Sequence, residues 1–424
     1  MLYDVTVIGA GLSGLTAAIA AQEEGARVLL LAKGVGTLPL TTGCIDVLGY
    51  FPGSEAAVDS PLRAVEMLAE RSPNHPYMKI GKEAVFSSLK AFQEVCRGEG
   101  IAFEGEASSN TLLPTALGTL RPTCIVPETL KQGDLSIDSP ALILGIEGLR
   151  DFFPFCAAEN LRMLFRAGKA RGSFRAVMMP APDIPGKNIT VLTLAKALEE
   201  KTFREEFAAR ARPLLREGER LGIPAVLGLY SPGEIWRDLQ ERTGAEIFEI
   251  PTPSPSLPGL RLYHALRDRI RSKGGRVVIG ASGIKPRAEA GRIRGFSPGA
   301  SARGVFYESR AFVLATGKFS GGGLESDRNT VFETLLNLPV THAESRRDWS
   351  SPKFLTAEGH PFDSFGLDTD DKLRPLDRRG EVVYENLFAA GGILAHAASL
   401  TEKSGGGVAV CTGWTAGKLA AKYK

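Results

Sequence analysis

Three glycines near the N terminus, Gly9, Gly11 and Gly14, carry the most specific chemical spacing in this chain. A G-x-G-x-x-G run binds a phosphate group when it lies between a strand and a helix. The first glycine permits a tight turn, the second lets backbone amides approach the phosphate, and the third lets helix pack on strand. The helix end that follows supplies unpaired N–H donors. Other glycine-rich sites recur downstream at Thr316-Gly317, Gly391-Gly392 and Gly405-Gly406-Gly407, and Thr41-Thr42-Gly43 offers hydroxyls and amides to a cofactor. One residue is missing: where an acid normally holds an adenosine ribose, about 20 residues on, stand Ala32 and Lys33. That disfavours NAD and the usual grip on the AMP half of FAD.

The elements that must position these glycines are legible. Tyr3–Ile8 reads as a strand, Leu12–Glu24 as a helix of small residues, and Arg27–Leu31 as a second strand, which makes a βαβ unit. An apolar strand, Ala311–Leu314, precedes Thr316-Gly317, and Leu387–Ala390 precedes Gly391. Ligands of open α/β sheets bind beyond the carboxyl ends of the strands, so these sites describe one cofactor cradle. The expected fold class is α/β: a Rossmann-like FAD/NAD(P)-binding domain with an inserted α+β cap. The binding domain is discontinuous, residues 1–50 and 259–424, and 51–258 form the inserted cap or substrate domain. Within the insert, Ala141–Ile146 reads as a strand and a helix begins near Glu147. Phe152, Phe153 and Phe155 are read as core of that domain in preference to a membrane-facing helix. The proline-rich Ile250–Gly259 is the expected linker.

Composition narrows the class further. The chain of 424 residues is 43% hydrophobic and 23% charged, as in ordinary soluble globular proteins. A net charge of +3 leaves no electrostatic footprint for nucleic acid. Glycine supplies 48 residues, well above the ~7% of average usage, as expected where backbone turns sharply or meets a ligand. Cys44, Cys96, Cys124, Cys156 and Cys411 are scattered without a C-x-x-C pair. This spacing argues against an iron–sulfur cluster, structural zinc or dithiol chemistry held by this chain, so no metal is expected. The uncharged stretch Val5–Ala21 falls short of the ~20 apolar residues of a membrane span, and the odd, unpaired cysteines read as reduced thiols of a cytoplasmic protein.

The terminal motifs resemble those of succinate dehydrogenase and fumarate reductase flavoproteins: VIGAGLSGL, the ATG after a strand, and NLFAAGG followed by SGGG. With TTGCIDVLG, LPTALGTLRPT, GLRDFFP, PSLPGLRL and FGLDTDDKLRP added, the chain is similar to the B subunits of anaerobic glycerol-3-phosphate dehydrogenase from residue 5 to 411. The resemblance implies oxidation of sn-glycerol 3-phosphate to dihydroxyacetone phosphate, with electrons passed towards quinone. It implies FMN as cofactor, with FAD the alternative, and partnership with a FAD-bearing catalytic subunit and an iron–sulfur membrane-anchor subunit. Through those partners the chain would lie at the inner face of a membrane. The competing readings are a self-sufficient fumarate-reductase-like flavin oxidoreductase and a cofactor-less assembly subunit.

Oxidation of a phosphorylated secondary alcohol needs a base for the hydroxyl proton and a cation for the phosphate. Of His75, His264, His342, His360 and His396, the loop residue His360 is the expected base. Arg346, paired with Arg347, is the expected cation, and Lys403 is a second candidate. Gly405, Gly406 and Gly407 are expected to open the last helix and to face the pyrimidine edge of the flavin.

Overall fold

The computed structural model describes residues 2–184, 188–297, 305–356 and 358–424. The chain divides into two compact units, one of 1–37, 45–95 and 263–424, the other of 38–44 and 96–262.

The first unit is built on a seven-stranded sheet. Its order runs Arg276–Ile279, Val28–Ala32, Leu2–Ile8, Tyr307–Leu314, Arg292–Ser297, Lys285–Glu289, and Leu387–Ala389 also pairs with Tyr307–Leu314. The pairings among Arg276–Ile279, Val28–Ala32, Leu2–Ile8, Tyr307–Leu314 and Leu387–Ala389 are all parallel, and the last two strands of the order join antiparallel. Val28–Ala32 reads VLLLA and is buried throughout, the unbroken apolar run of a strand covered on both faces. The helix Leu12–Glu23 follows the first strand and is buried from Ser13 to Ala21, so it lacks a polar face there. It packs on the C-terminal helix Gly405–Lys422 at very short range. A methyl group at Gly417 would lie 2.2 Å from the Ala17 carbonyl oxygen, so only glycine lets these backbones approach.

The expected division at residue 50 falls elsewhere. Residues 45–95, including the helix Pro61–Arg71, belong to the first unit. The physical reason is a buried anchor: Tyr77 donates its hydroxyl to the Val47 carbonyl at 2.8 Å, and His75 meets Glu402. Conversely, 38–44 fold with the second unit, where the Ser256 amide donates to the Pro39 carbonyl at 2.7 Å.

The second unit has a four-stranded sheet of order Ile247–Ile250, Arg220–Pro224, Ala141–Ile146, Phe174–Met179, parallel throughout. Two short antiparallel ribbons, Phe103–Glu104 with Val126–Pro127 and Thr111–Pro114 with Leu120–Thr123, suit an α+β description. The main sheet does not, because helices such as Pro154–Arg166 and Pro232–Thr243 intervene between its successive strands. The aromatic run divides: Phe152 is buried, whereas Phe153 and Phe155 are 64% and 60% exposed. No helix among the described residues is long and apolar enough to cross a membrane.

Candidate cofactor and active site

Strand register in the first unit brings three glycine-rich turns to one sheet edge. Ile8 is level with Leu31 on one side and Leu314 on the other, and Leu314 is level with Ala389. Gly9, Thr316-Gly317 and Gly391 therefore leave the sheet together. Gly9 sits at φ +115°, and a methyl there would lie 2.2 Å from the Ala315 carbonyl oxygen. Gly14 faces Gly9, whose carbonyl oxygen would lie 2.0 Å from its Cβ. Gly11 differs from both: nothing lies within 4 Å of where its Cβ would be. The helix that starts after Gly11 has no side-chain cap and no acid in its first turn. Its N-terminal amides thus remain available to an anion.

Thr316 adds a second sign of a missing partner. Its Oγ1 is buried and has no hydrogen-bond partner among the described residues. A buried hydroxyl left unpaired is costly, so it is a natural contact for a bound polar group. Open space at Gly11, uncapped amides and the orphaned Thr316 hydroxyl fit the phosphate and ribityl character of a flavin nucleotide. At the adenosine position, Ala32 is buried and Lys33 exposed, and no carboxylate stands there.

Two of the expected contacts serve packing instead. The Gly391 amide donates to Thr412 Oγ1 at 2.8 Å, and its Cβ would fall 2.3 Å from Ser13 Oγ. Gly392 is the exposed neighbour, with Gly317 Cα nearest at 3.7 Å. The last helix does begin at Gly405, with Gly405 exposed and Gly406 half-buried. Gly407 departs from the expectation. Its amide donates to the Asp46 carbonyl at 2.8 Å, and a methyl would strike the Tyr77 hydroxyl at 2.3 Å. It is glycine for close packing.

Behind Gly317 lies a buried set of charges that sequence reasoning did not anticipate. Lys318 Nζ donates to the carbonyls of Asp363 and of Ala397, the latter at 3.0 Å. Burial pulls the Lys318 ammonium down to about 8, against the opposing pull of Asp363 and Glu402. Burial likewise raises Asp363, which accepts the Leu400 amide at 2.7 Å. Glu402 is held below the usual range although burial opposes this, because His75 and Ser404 hydrogen-bond to it. No local pattern marks this set, since Lys318, Asp363 and Glu402 stand far apart along the chain and meet only on folding.

The expected base and cation take other roles. His360 Nδ1 accepts the Ser351 amide at 3.1 Å and Nε2 donates to the Phe354 carbonyl at 3.0 Å. Both ring nitrogens therefore clip the 351–360 loop, and the ring stacks on Phe362. Arg346 is exposed, lies over the Trp349 ring at 5.2 Å, and donates to the Asp327 carbonyl at 2.9 Å. Thr41, Thr42 and Gly43 belong to the second unit. There Thr41 Oγ1 donates to the Leu38 carbonyl at 2.9 Å, and Gly43 packs on Pro258.

Another histidine was passed over. His396 Nε2 meets the Asp368 carboxylate at 2.5 Å, and Thr341 donates to the same carboxylate. Five residues after Gly391, it sits at φ +68°, a conformation that non-glycine residues rarely adopt. Sequence spacing carries no sign of this pairing, since the partners meet through the parallel bridge of Leu367 with Leu394.

Comparison with known proteins shows the family. The chain matches the FAD binding domain family over residues 4–408. It is 32% identical over 430 residues to a probable B subunit of anaerobic glycerol-3-phosphate dehydrogenase from Halobacterium salinarum, covering 99% of this chain and 98% of that one. It is 29% identical to the B subunit of anaerobic glycerol-3-phosphate dehydrogenase from Actinobacillus pleuropneumoniae, covering 98% of each. Among solved structures, the open conformation of a flavocytochrome c3 fumarate reductase aligns over 100% of this chain and 78% of that one. Its identity is 11% and its TM-score 0.45. The chain belongs to the FAD binding domain family and, within it, to the B subunits of anaerobic glycerol-3-phosphate dehydrogenase.

Proposed function

We propose that this member of the B-subunit family is the flavin-binding subunit of an enzyme oxidising sn-glycerol 3-phosphate to dihydroxyacetone phosphate. The observation that carries this is the open Gly11 position at an uncapped helix start, in a chain matched to its relatives end to end. Oxidation at C2 removes a hydride from carbon and a proton from the hydroxyl. A bound flavin supplies the two-electron acceptor. The chain's own part is to hold the flavin phosphate on the Gly9–Gly14 turn and the Thr316 hydroxyl beside it, with Gly405 and Gly406 at the far helix start.

The flavin is FMN in this reading. Ala32 offers no carboxylate to an adenosine ribose, and the backbone of Gly36 lies against Gly11, where its own Cβ would fall 2.6 Å from Gly11 Cα. Electrons then pass towards quinone through a FAD-bearing catalytic subunit and an iron–sulfur subunit that anchors the assembly at the membrane. In this reading the relay of electrons belongs to those partners.

Nucleotide released on denaturation of the purified chain tests the cofactor. Stoichiometric FMN is expected; stoichiometric FAD overturns FMN, and absence of flavin overturns the whole reading. The assembled complex should reduce an artificial acceptor with sn-glycerol 3-phosphate, and the isolated chain should do so poorly. Robust turnover by the homogeneous isolated chain would contradict the partnership.

A further inference from the structure

In the second unit the helix Pro154–Arg166 has two unlike faces. Pro154, Ala157, Ala158 and Leu161 are buried where it packs on the sheet. Phe155, Glu159, Arg162 and Arg166 follow at i, i+4, i+7 and i+11 and share the outer face, with Met163 beside them. Phe155 and Met163 are 60% and 58% exposed, and Phe153 and Phe165 at the two ends of the helix are exposed as well. Three of the four exposed phenylalanines among the described residues thus stand on this one helix and its N-cap. Single exposed apolar side chains are ordinary; a cluster of them marks a contact surface. The surface is also basic. Residues 162–171 read RMLFRAGKAR, four cations without an acid. Glu159 is the only acid of the helix, and Arg162 at 2.6 Å and Arg166 at 3.7 Å share its one charge. Lys169 and Arg171 are exposed and form no ion pair among the described residues. At the other end, Arg150 and Asp151 offset each other in charge.

Aromatic side chains interleaved with unneutralised cations suit an anionic lipid surface. Headgroups neutralise the cations, while phenylalanine and methionine enter the boundary between headgroups and acyl chains. Arginine and lysine fit there because their stems lie along apolar surface and their charges stay outside it. The core of a protein interface, by contrast, is depleted of charge and of lysine in particular. Thirteen residues at ~1.5 Å each make about 20 Å, too short to cross a hydrocarbon core of ~30 Å, so the helix lies along the surface. We infer that the second unit docks directly on an anionic lipid surface through the outer face of Pro154–Arg166. Phe153, Phe155, Met163 and Phe165 enter the boundary, and Arg166, Lys169 and Arg171 meet the headgroups. This goes beyond the proposed function, in which partner subunits alone hold the assembly at the membrane. It asks for no chemistry of this chain and needs neither flavin nor substrate.

The test offers the full chain vesicles of phosphatidylcholine alone, and vesicles of phosphatidylcholine and phosphatidylglycerol in equal parts. Co-sedimentation should show binding to the mixed vesicles and little to the neutral ones, weakening as salt rises. Lys169→Gln and Arg171→Gln should each weaken that binding about fivefold, the usual share of one cation near an anionic leaflet. Phe153→Ser combined with Phe155→Ser should weaken it about tenfold or more, since both apolar anchors are lost. All four side chains are exposed, so these variants should unfold at the temperature of the wild type. Phe155→Trp adds emission that should shift to the blue with the mixed vesicles and be quenched when their lipids are brominated. No binding to the mixed vesicles, or binding that the variants leave unchanged, would overturn the inference. So would a blue shift of the Phe155→Trp emission on assembly with partner subunits without vesicles, which would assign this face to a protein contact. Flavin release and oxidation of sn-glycerol 3-phosphate with an artificial acceptor are measured without vesicles, so either reading can fail while the other stands.

Discussion

His75 and Glu402 stand 327 positions apart and meet as a buried pair, Nε2 to Oε2, at 3.3 Å. The His75 Nδ1 accepts the Tyr77 amide at 3.2 Å, so the ring is neutral and donates from Nε2 to an ionised carboxylate. This pair joins the 45–95 segment to the residues just before the last helix. Removing His75 takes a hydrogen bond from a buried carboxylate that keeps its bonds from Ser404 and the Ala398 amide. His75→Ala should cost about 1.5–3 kcal/mol by urea unfolding, and Glu402→Gln in the same chain should recover part of it. Equal stability of His75→Ala and wild type would show that Glu402 is held by other groups.

Two glycines of one motif should respond in opposite ways. Gly14→Ala puts a methyl 2.0 Å from the Gly9 carbonyl oxygen and should lower stability by several kcal/mol, whatever the ligand state. Gly11→Ala meets open space at an ordinary φ of −75°, so its cost should stay near the ~1 kcal/mol of an N-cap replacement. Flavin affinity should nevertheless fall tenfold or more, since the methyl occupies the approach of the phosphate. Thermal unfolding and flavin titration of the two variants separate these effects. Unchanged flavin affinity in Gly11→Ala would place the phosphate elsewhere.

Gly391 carries two burdens, a φ of +75° and contact with Ser13. Gly391→Ala should destabilise the chain through both, and adding Ser13→Gly should restore only the part due to contact. About 1–2 kcal/mol, the cost of the left-handed backbone, should remain in the double variant. Complete rescue would mean that the backbone relaxes freely.

Lys318 gives the stability a pH signature. Its folded value is about 8 against 10.5 in the unfolded chain, so between these limits the unfolded chain binds more protons. Stability contributed by this group therefore rises with pH across the window from about 8 to 10.5. The rise is at most about 3 kcal/mol, at about 1.36 kcal/mol for each pH unit of that window. Lys318→Met should abolish that slope in denaturant unfolding followed across the window. A slope that persists would assign it to other lysines or tyrosines.

The βαβ unit at the N terminus and the edge beyond Leu314 and Ala389 could be read directly from the sequence. Glycine spacing and apolar strand runs are local, and the three turns needed no knowledge of distant neighbours. The missing acid at Ala32 was equally plain, because it is a question of residue type at a counted distance. What glycine spacing could not tell was purpose. Gly11 faces open space, whereas Gly14, Gly391 and Gly407 are glycine because Gly9, Ser13 and Tyr77 press on them, and those contacts arise only on folding. The division into units was misjudged at residue 50 for a similar reason, since the fully buried His75 and Tyr77 look like ordinary loop residues in a polar stretch. Charge pairing was least visible of all. His360 and His396 are equivalent as letters, and only the tertiary structure commits both nitrogens of one ring to its own loop while giving the other a carboxylate at 2.5 Å. Local pattern determined the glycine-rich strand ends, because turns and strands depend on near neighbours. Tertiary packing decided which side chains remain free for chemistry, because a hydrogen bond is set by which groups come within about 3 Å in space.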